Sequence, residues 1–152
     1  MANTQSMCTS FMQEVLTATH NFTTGTGDTF KAALYLASAT YNASTTAYSS
    51  TGEVTGTNYT PGGVTVTNGT SPLSTNTSAT AGVAYWTPTA SLTYTNVTLT
   101  TAFDAVLIYN SSKSNKAVSV HTFGSQTVTA GTFTLTMPSN TTSTALIRLS
   151  TT

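Results

Sequence analysis

Charge is what this chain has least of. Four Lys or Arg and four Asp or Glu side chains make up 5% of its 152 residues, against the ~25% usual in soluble domains. A formal net charge of zero leaves no basic footprint for a phosphate backbone or an anionic bilayer, so neither nucleic acid nor membrane is expected as a partner. The same neutrality removes the usual defence against self-association, which points to a surface covered by copies of itself, with a trimer favoured. A single cysteine, Cys8, excludes an intramolecular disulfide, and stability must come from packing. Long apolar runs are missing too: no stretch approaches the ~20 residues of a membrane span, and the segment MANTQSMCTSFMQEV shows no basic region leading into an apolar one. Asn21, Asn42, Asn58, Asn68, Asn76, Asn96, Asn110 and Asn140 each begin an N-x-[ST] triplet. In a chain this rich in Asn, Ser and Thr such triplets arise by chance, and glycosylation is not expected.

Threonine is what the chain has in excess, at roughly a quarter of all residues. Between Val64 and Met137 it falls at alternate positions, in VTVTNGT, LTYTNVTLT and TFTLTM. Thr is β-branched and polar, so it suits a pleated strand and faces water without charge, while the alternating Val, Leu, Phe and Tyr face a core. Strands are predicted over residues 29–37, 53–59, 64–68, 82–87, 92–100, 105–110, 117–123, 127–137 and 145–149, punctuated by Gly, Asn, Ser and Pro. AVLIYN and ALIRL read apolar on both faces and are expected to be central strands. Residues 109–118 should form a hairpin loop carrying Lys113 and Lys116, and residues 39–51 and 68–81 long surface loops.

The one predicted helix covers residues 8–21, with Phe11, Val15, Met12 and Leu16 at helical spacing, a Ser10/Gln13 capping box and a stop at Asn21. It is expected to dock on the sheet by its Phe and Leu side. The resulting expectation is an all-β chain: one β-sandwich of immunoglobulin-like or jelly-roll type over residues 28–152, preceded by a segment, 1–27, with one short helix.

Catalytic chemistry finds little to stand on. Glu14, Asp28, Glu53 and Asp104 lie in separate segments with no spacing that unites them as an acid–base pair. His20, His121 and Cys8 show no paired metal-ligand spacing, and a Cys8/His20 nucleophile pair lacks an orienting third group. No phosphate-cradling glycine loop or nucleophile elbow is present. No catalytic residue, metal or cofactor is therefore expected, and an enzyme is the weakest reading. Trp86 reads as a core or interface anchor. Lattice binding by Thr rows is set aside, because Thr65/Thr67, Thr93/Thr95 and Thr132/Thr134/Thr136 are irregularly spaced.

The strings CTSFMQEVL at residues 8–16, GDTFKAALY at 27–35, LIYN at 107–110, SKSNKAV at 112–118 and the ending ALIRLS resemble a group of small Thr-rich virion proteins of tailed bacteriophages. The resemblance implies a structural part of the particle, a head decoration (cement) protein or a tail or fibre component, made in the host cytoplasm and carried in the virion. Its partners would be further copies of itself and the major capsid or tail proteins. Expected contacts are Phe11, Met12, Tyr48, Tyr59 and Trp86. The competing expectation is an adhesion module in which Tyr41, Tyr48, Tyr59 and Trp86 stack against host carbohydrate.

Overall fold

The computed structural model describes residues 2–75 and 82–151. The chain is mostly β, with two antiparallel sheets and one short helix: β1 (Ser6–Met7), α1 (Thr9–Leu16), β2 (Phe30–Leu36), β3 (Val64–Thr65), β4 (Leu73–Ser74), β5 (Val83–Trp86), β6 (Leu92–Asn110), β7 (Lys116–Leu135) and β8 (Ile147–Ser150). The larger sheet runs β1-β7-β6-β2-β3 and the smaller β4-β5-β8. Among the described residues no helix is long and apolar enough to cross a membrane.

The four strands predicted between residues 92 and 137 are two. β6 and β7 form one long hairpin, closed by residues 111–115, where Ser114 and Asn115 take the left-handed turn conformation. Lys113 sits in that turn and Lys116 opens β7. The hairpin does not run straight. Phe103 is opposite Gln126, and a straight β7 would carry Phe133 roughly 23 Å further on, yet the Phe103 and Phe133 rings lie 5.1 Å apart. Register shifts between Tyr94 and Ala105, with Asn96 at φ 52° and Ala130 at φ 46°, supply the bend, as bulges do elsewhere. In the distal part Leu92, Tyr94, Val97 and Leu99 are buried, and Thr93, Thr95, Thr100, Thr132 and Thr134 are exposed. The Thr alternation is therefore the solvent face of this curled hairpin.

Residues 105–110 of β6 are buried on both faces and β6 is central, flanked by β2 and β7. The matching expectation for ALIRL is overturned. β8 is an edge strand paired only with β5, so Ile147 turns inward while Arg148 and Leu149 stay exposed. The predicted strand over 53–59 is also absent: Tyr35 meets Glu53 and Thr57 meets Thr98 in isolated bridges only. Glu53 turns its carboxylate inward, Gly56 lies directly against the Thr98 carbonyl, and Asn58 takes φ 59°; these interrupt an extended ladder.

The helix is shorter than predicted. It is N-capped by Cys8 without a side-chain bond, so the Ser10/Gln13 capping box does not form. It ends at Leu16 because the Thr17 hydroxyl bonds the Glu14 carbonyl and Ala18 takes φ 53°. Phe11 docks inward at 1% exposure, but Leu16 is 87% exposed, so the expected Leu side of the docking face is wrong. Phe11, Phe22, Phe30 and Trp86 form a continuous aromatic chain linking α1, β2 and β5, with Phe22 stacked on Phe30 at 4.2 Å and tilted against Trp86 at 4.8 Å. Cys8 lies in the same core. Burial, helped by the negative charge of Glu14, pushes its thiol up to about 12. A thiol-specific reagent at neutral pH should leave native Cys8 unlabelled and modify it fully in denaturant; rapid labelling of the native chain would contradict this packing.

Candidate docking surface and buried polar networks

Two buried polar networks and one apolar groove hold the side chains with the greatest chemical interest. The first network begins on α1. Glu14 Oε1 accepts from Lys116 Nζ at 2.5 Å, and Glu14 Oε2 lies 2.7 Å from His20 Nε2. His20 Nδ1 lies 2.9 Å from Asn110 Nδ2, which also donates to Asp28 Oδ2 at 2.8 Å. With the proton on His20 Nε2, each amide and imidazole hydrogen in the chain has an acceptor, so the tautomer follows from the network. Lys113 stands 3.7 Å from the other Asp28 oxygen. The fold thus joins two carboxylates that no sequence spacing united. Every member is already bonded to another and the His20 side chain is fully buried, so the network fastens α1 and the following loop to the β6–β7 turn.

Burial pushes Glu14 up, but the hydrogen bonds from Lys116 and His20 and the charge of Lys116 outweigh it and hold the carboxyl below its ordinary 4.5. Asp28 is likewise held below 3.8, burial being outweighed by the Asn21 amide, Asn110 and Lys113. Both groups therefore stabilise the fold above their ordinary values and lose that contribution as pH falls through the lowered ones. His121 behaves differently. Burial pushes its imidazole from 6.5 down to about 4, so the unfolded chain takes up a proton first and stability declines from pH 6.5 towards 4. Melting temperatures measured against pH should fall in two stages, and His121→Gln should flatten the stage above 4.5 while leaving the steeper one below it. An unchanged profile in that variant would contradict the assignment.

The second network surrounds Glu53, 6% exposed and without a cation partner among the described residues. Its Oε1 accepts from the Tyr59 hydroxyl and the Gly62 amide, and its Oε2 from the Tyr48 hydroxyl, each at 2.7 Å. Tyr59 Oη in turn accepts from the Leu34 amide, and Tyr109 donates to the Gly62 carbonyl. Burial and the nearby carboxylate push the Tyr109 phenol up to about 12, and Tyr48 and Tyr59 are also raised. All three phenols remain protonated donors.

The second network accounts for Tyr48 and Tyr59 among the aromatic residues singled out in the sequence. Tyr41 and Tyr59 are buried, and Tyr48 stacks on Tyr109 at 4.7 Å. Trp86 is 2% exposed and donates its indole N–H to Asn68 and Thr70. No joint stacking platform of Tyr41, Tyr48, Tyr59 and Trp86 is assembled, since the ring faces are inside the molecule. Of the five expected contact residues, Phe11, Tyr59 and Trp86 are core residues of the single chain, Tyr48 is half-buried, and Met12 is exposed at 46%.

The exposed large apolar side chains among the described residues are Met12, Leu16, Leu73 and Leu149. A groove of about 160 Å³ lies between α1 and the smaller sheet, with Val15, Phe22, Tyr85 and Leu149 among its lining. Of the exposed apolar side chains only Leu149 is a wall of the groove; Leu16 follows the lining residue Val15 on α1, with Met12 one helical turn before it, and Leu73, in register with Tyr85 and through it with Arg148, lies on the other face of the smaller sheet. Sequence reasoning missed Leu16 and Leu149, because apolar residues at helix and strand positions read as core, whereas Leu73 lies in the stretch 68–81 expected at the surface. Comparison of the chain with protein-family models, curated proteins and solved structures finds no match. The groove and networks therefore stand on their own geometry. No group of three or more His, Cys, Asp or Glu side chains able to hold a metal occurs among the described residues.

Proposed function

We propose that this chain is a non-catalytic structural protein of a bacteriophage particle, a decoration protein that binds the assembled head as an oligomer. The observation that carries the reading is the apolar groove between α1 and the smaller sheet, walled by the exposed Leu149 and by Val15, whose neighbour Leu16 is exposed on the same helix. Apolar side chains gathered at one groove on a surface with few charges suit a protein–protein contact. The neutral, Thr-covered remainder and the resemblance of the segments quoted above to small Thr-rich virion proteins support the same reading. In it, the two sheets act as the facing layers of one sandwich, and the groove at their helical end seats on capsid subunits.

Two measurements test it. Mass spectrometry of purified particles should find the chain at a copy number comparable to the major capsid protein. Leu16→Asp with Leu149→Asp should weaken binding to undecorated heads about thirtyfold or more, the scale of losing a central apolar contact, while the circular dichroism spectrum stays unchanged because both residues are exposed. Full binding by the folded double variant would remove the groove from the interface, and absence of the chain from particles would remove the virion reading.

A further inference from the structure

Strand β8 alternates, and its two sides meet different spaces. Leu149 lines the groove described above, whereas Arg148 lines a larger cleft of about 600 Å³ on the other side. That cleft is formed by the curl of the β6–β7 hairpin. Leu92 and Ile108, which a straight strand would hold roughly 50 Å apart, both line it. Its accessible apolar lining comes from the partly exposed Met7, Leu135, Met137 and Leu146, backed by the packed side chains of Leu92, Val106 and Ile108. Its volume falls in the range of small-molecule sites, which combine apolar walls with a few polar groups.

The polar groups here are specific. Arg148 is the only charged residue in the lining, and its guanidinium makes no ion pair or hydrogen bond among the described residues. The four carboxylates are engaged elsewhere: Glu14 and Asp28 in the first network, Glu53 in the second, and Asp104 by Asn3 at 2.6 Å. Ser119, 3% exposed, holds its hydroxyl 2.9 Å from His121 Nε2, which leaves Nδ1 of that ring with no partner among the described residues. An unpaired guanidinium is a fork for a carboxylate, and partly exposed apolar side chains beside it suit a hydrocarbon body.

We propose that this cleft binds a small apolar monocarboxylate, its carboxylate on Arg148 and its hydrocarbon part against Met7, Leu135, Met137 and Leu146. The shared chemistry belongs both to medium-chain fatty acids and to the C-terminal residue of a peptide.

The methionines report the site. Met7 and Met137 line the cleft, while Met12 lies on α1 outside it. The full chain, with isotope-labelled methionine methyl groups, is titrated with octanoate, N-acetyl-leucine and octanol and followed by NMR. Saturable shifts of Met7 and Met137, but not Met12, are expected with a carboxylate below about 10 mM. Arg148→Gln should weaken that binding about tenfold, the scale of one charge-assisted hydrogen-bond set. Thr136→Trp, at an exposed lining position, should block it without touching the core. Octanoate binding with no response to N-acetyl-leucine identifies a fatty acid, and the reverse a peptide terminus. Equal binding of octanol, shifts confined to Met12, or no shift at all would each overturn the proposal.

Discussion

Gly63→Ala should leave the chain unable to fold. Gly63 sits at φ 74°, where an L side chain is strained, and an added Cβ would run into the carbonyl oxygen of Ala32 while lying 2.7 Å from the Ala33 Cα. Neither neighbour is free to move, because Ala32 and Ala33 are fully buried and pair with Ile108 and Leu107 in the middle of the larger sheet. Gly63 immediately precedes β3, whose Val64 pairs with Ala32. A displaced turn therefore costs the β2–β3 pairing as well as the local strain. The loss should exceed about 4 kcal/mol, a large part of the ~5–15 kcal/mol that holds a domain together. Gly25 is the control: it has a similar φ of 80° but open space around it, so Gly25→Ala should cost only about 1–2 kcal/mol. Soluble expression and thermal melting of both variants check the contrast. Equal behaviour would mean that backbone conformation, and not the contact with β2, governs Gly63.

Glu53→Ala carries the next largest effect. Removing the carboxylate leaves the Tyr48 and Tyr59 hydroxyls and the Gly62 amide without their acceptor inside the molecule. A buried donor left unpaired costs about 1–3 kcal/mol, and the hydroxyls have some freedom to turn. A total near 4 kcal/mol is expected, which lowers the melting temperature by roughly 10 °C for a chain of this size. Tyr48→Phe, which takes away one donor and leaves the acceptor well supplied, should cost about 1 kcal/mol. Differential scanning calorimetry measures both. A Glu53→Ala variant within 1 °C of the parent would show that the site does not depend on this acceptor, and the account of the Glu53 network would fail.

Both variants act at places where local sequence carried little signal. Glu53 sits in TGEVTGTNY, which reads as a strand with a solvated acid, because a carboxylate in a polar stretch is ordinarily exposed. Its burial depends on Tyr48, Tyr59 and the Pro61–Gly63 turn converging from different positions of one loop. Glu14 and Asp28 likewise read as unrelated charges. They meet only because the β6–β7 turn delivers Asn110, Lys113 and Lys116 to the helix, a contact across 102 positions in the case of Lys116. Leu16 and Leu149 show the opposite failure. Their periodicity was right for a helix and a strand, but periodicity gives an apolar face without saying whether anything covers it.

The sequence by itself determined the β character, the helix start, the central strand at residues 105–110 and the turn at 111–115. Each rests on interactions within a few residues: β-branched alternation, helical spacing, an apolar run and turn-forming Ser and Asn. Only the tertiary structure decided that the Thr-rich strands join into one curled hairpin, that β8 is an edge, that Trp86 and most of the tyrosines lie inside, and that Arg148 and Leu149 open on different spaces. Those outcomes depend on which distant segments share a register and a core. A strand's period fixes which residues share a face, and the partner that covers the face is set by the rest of the chain.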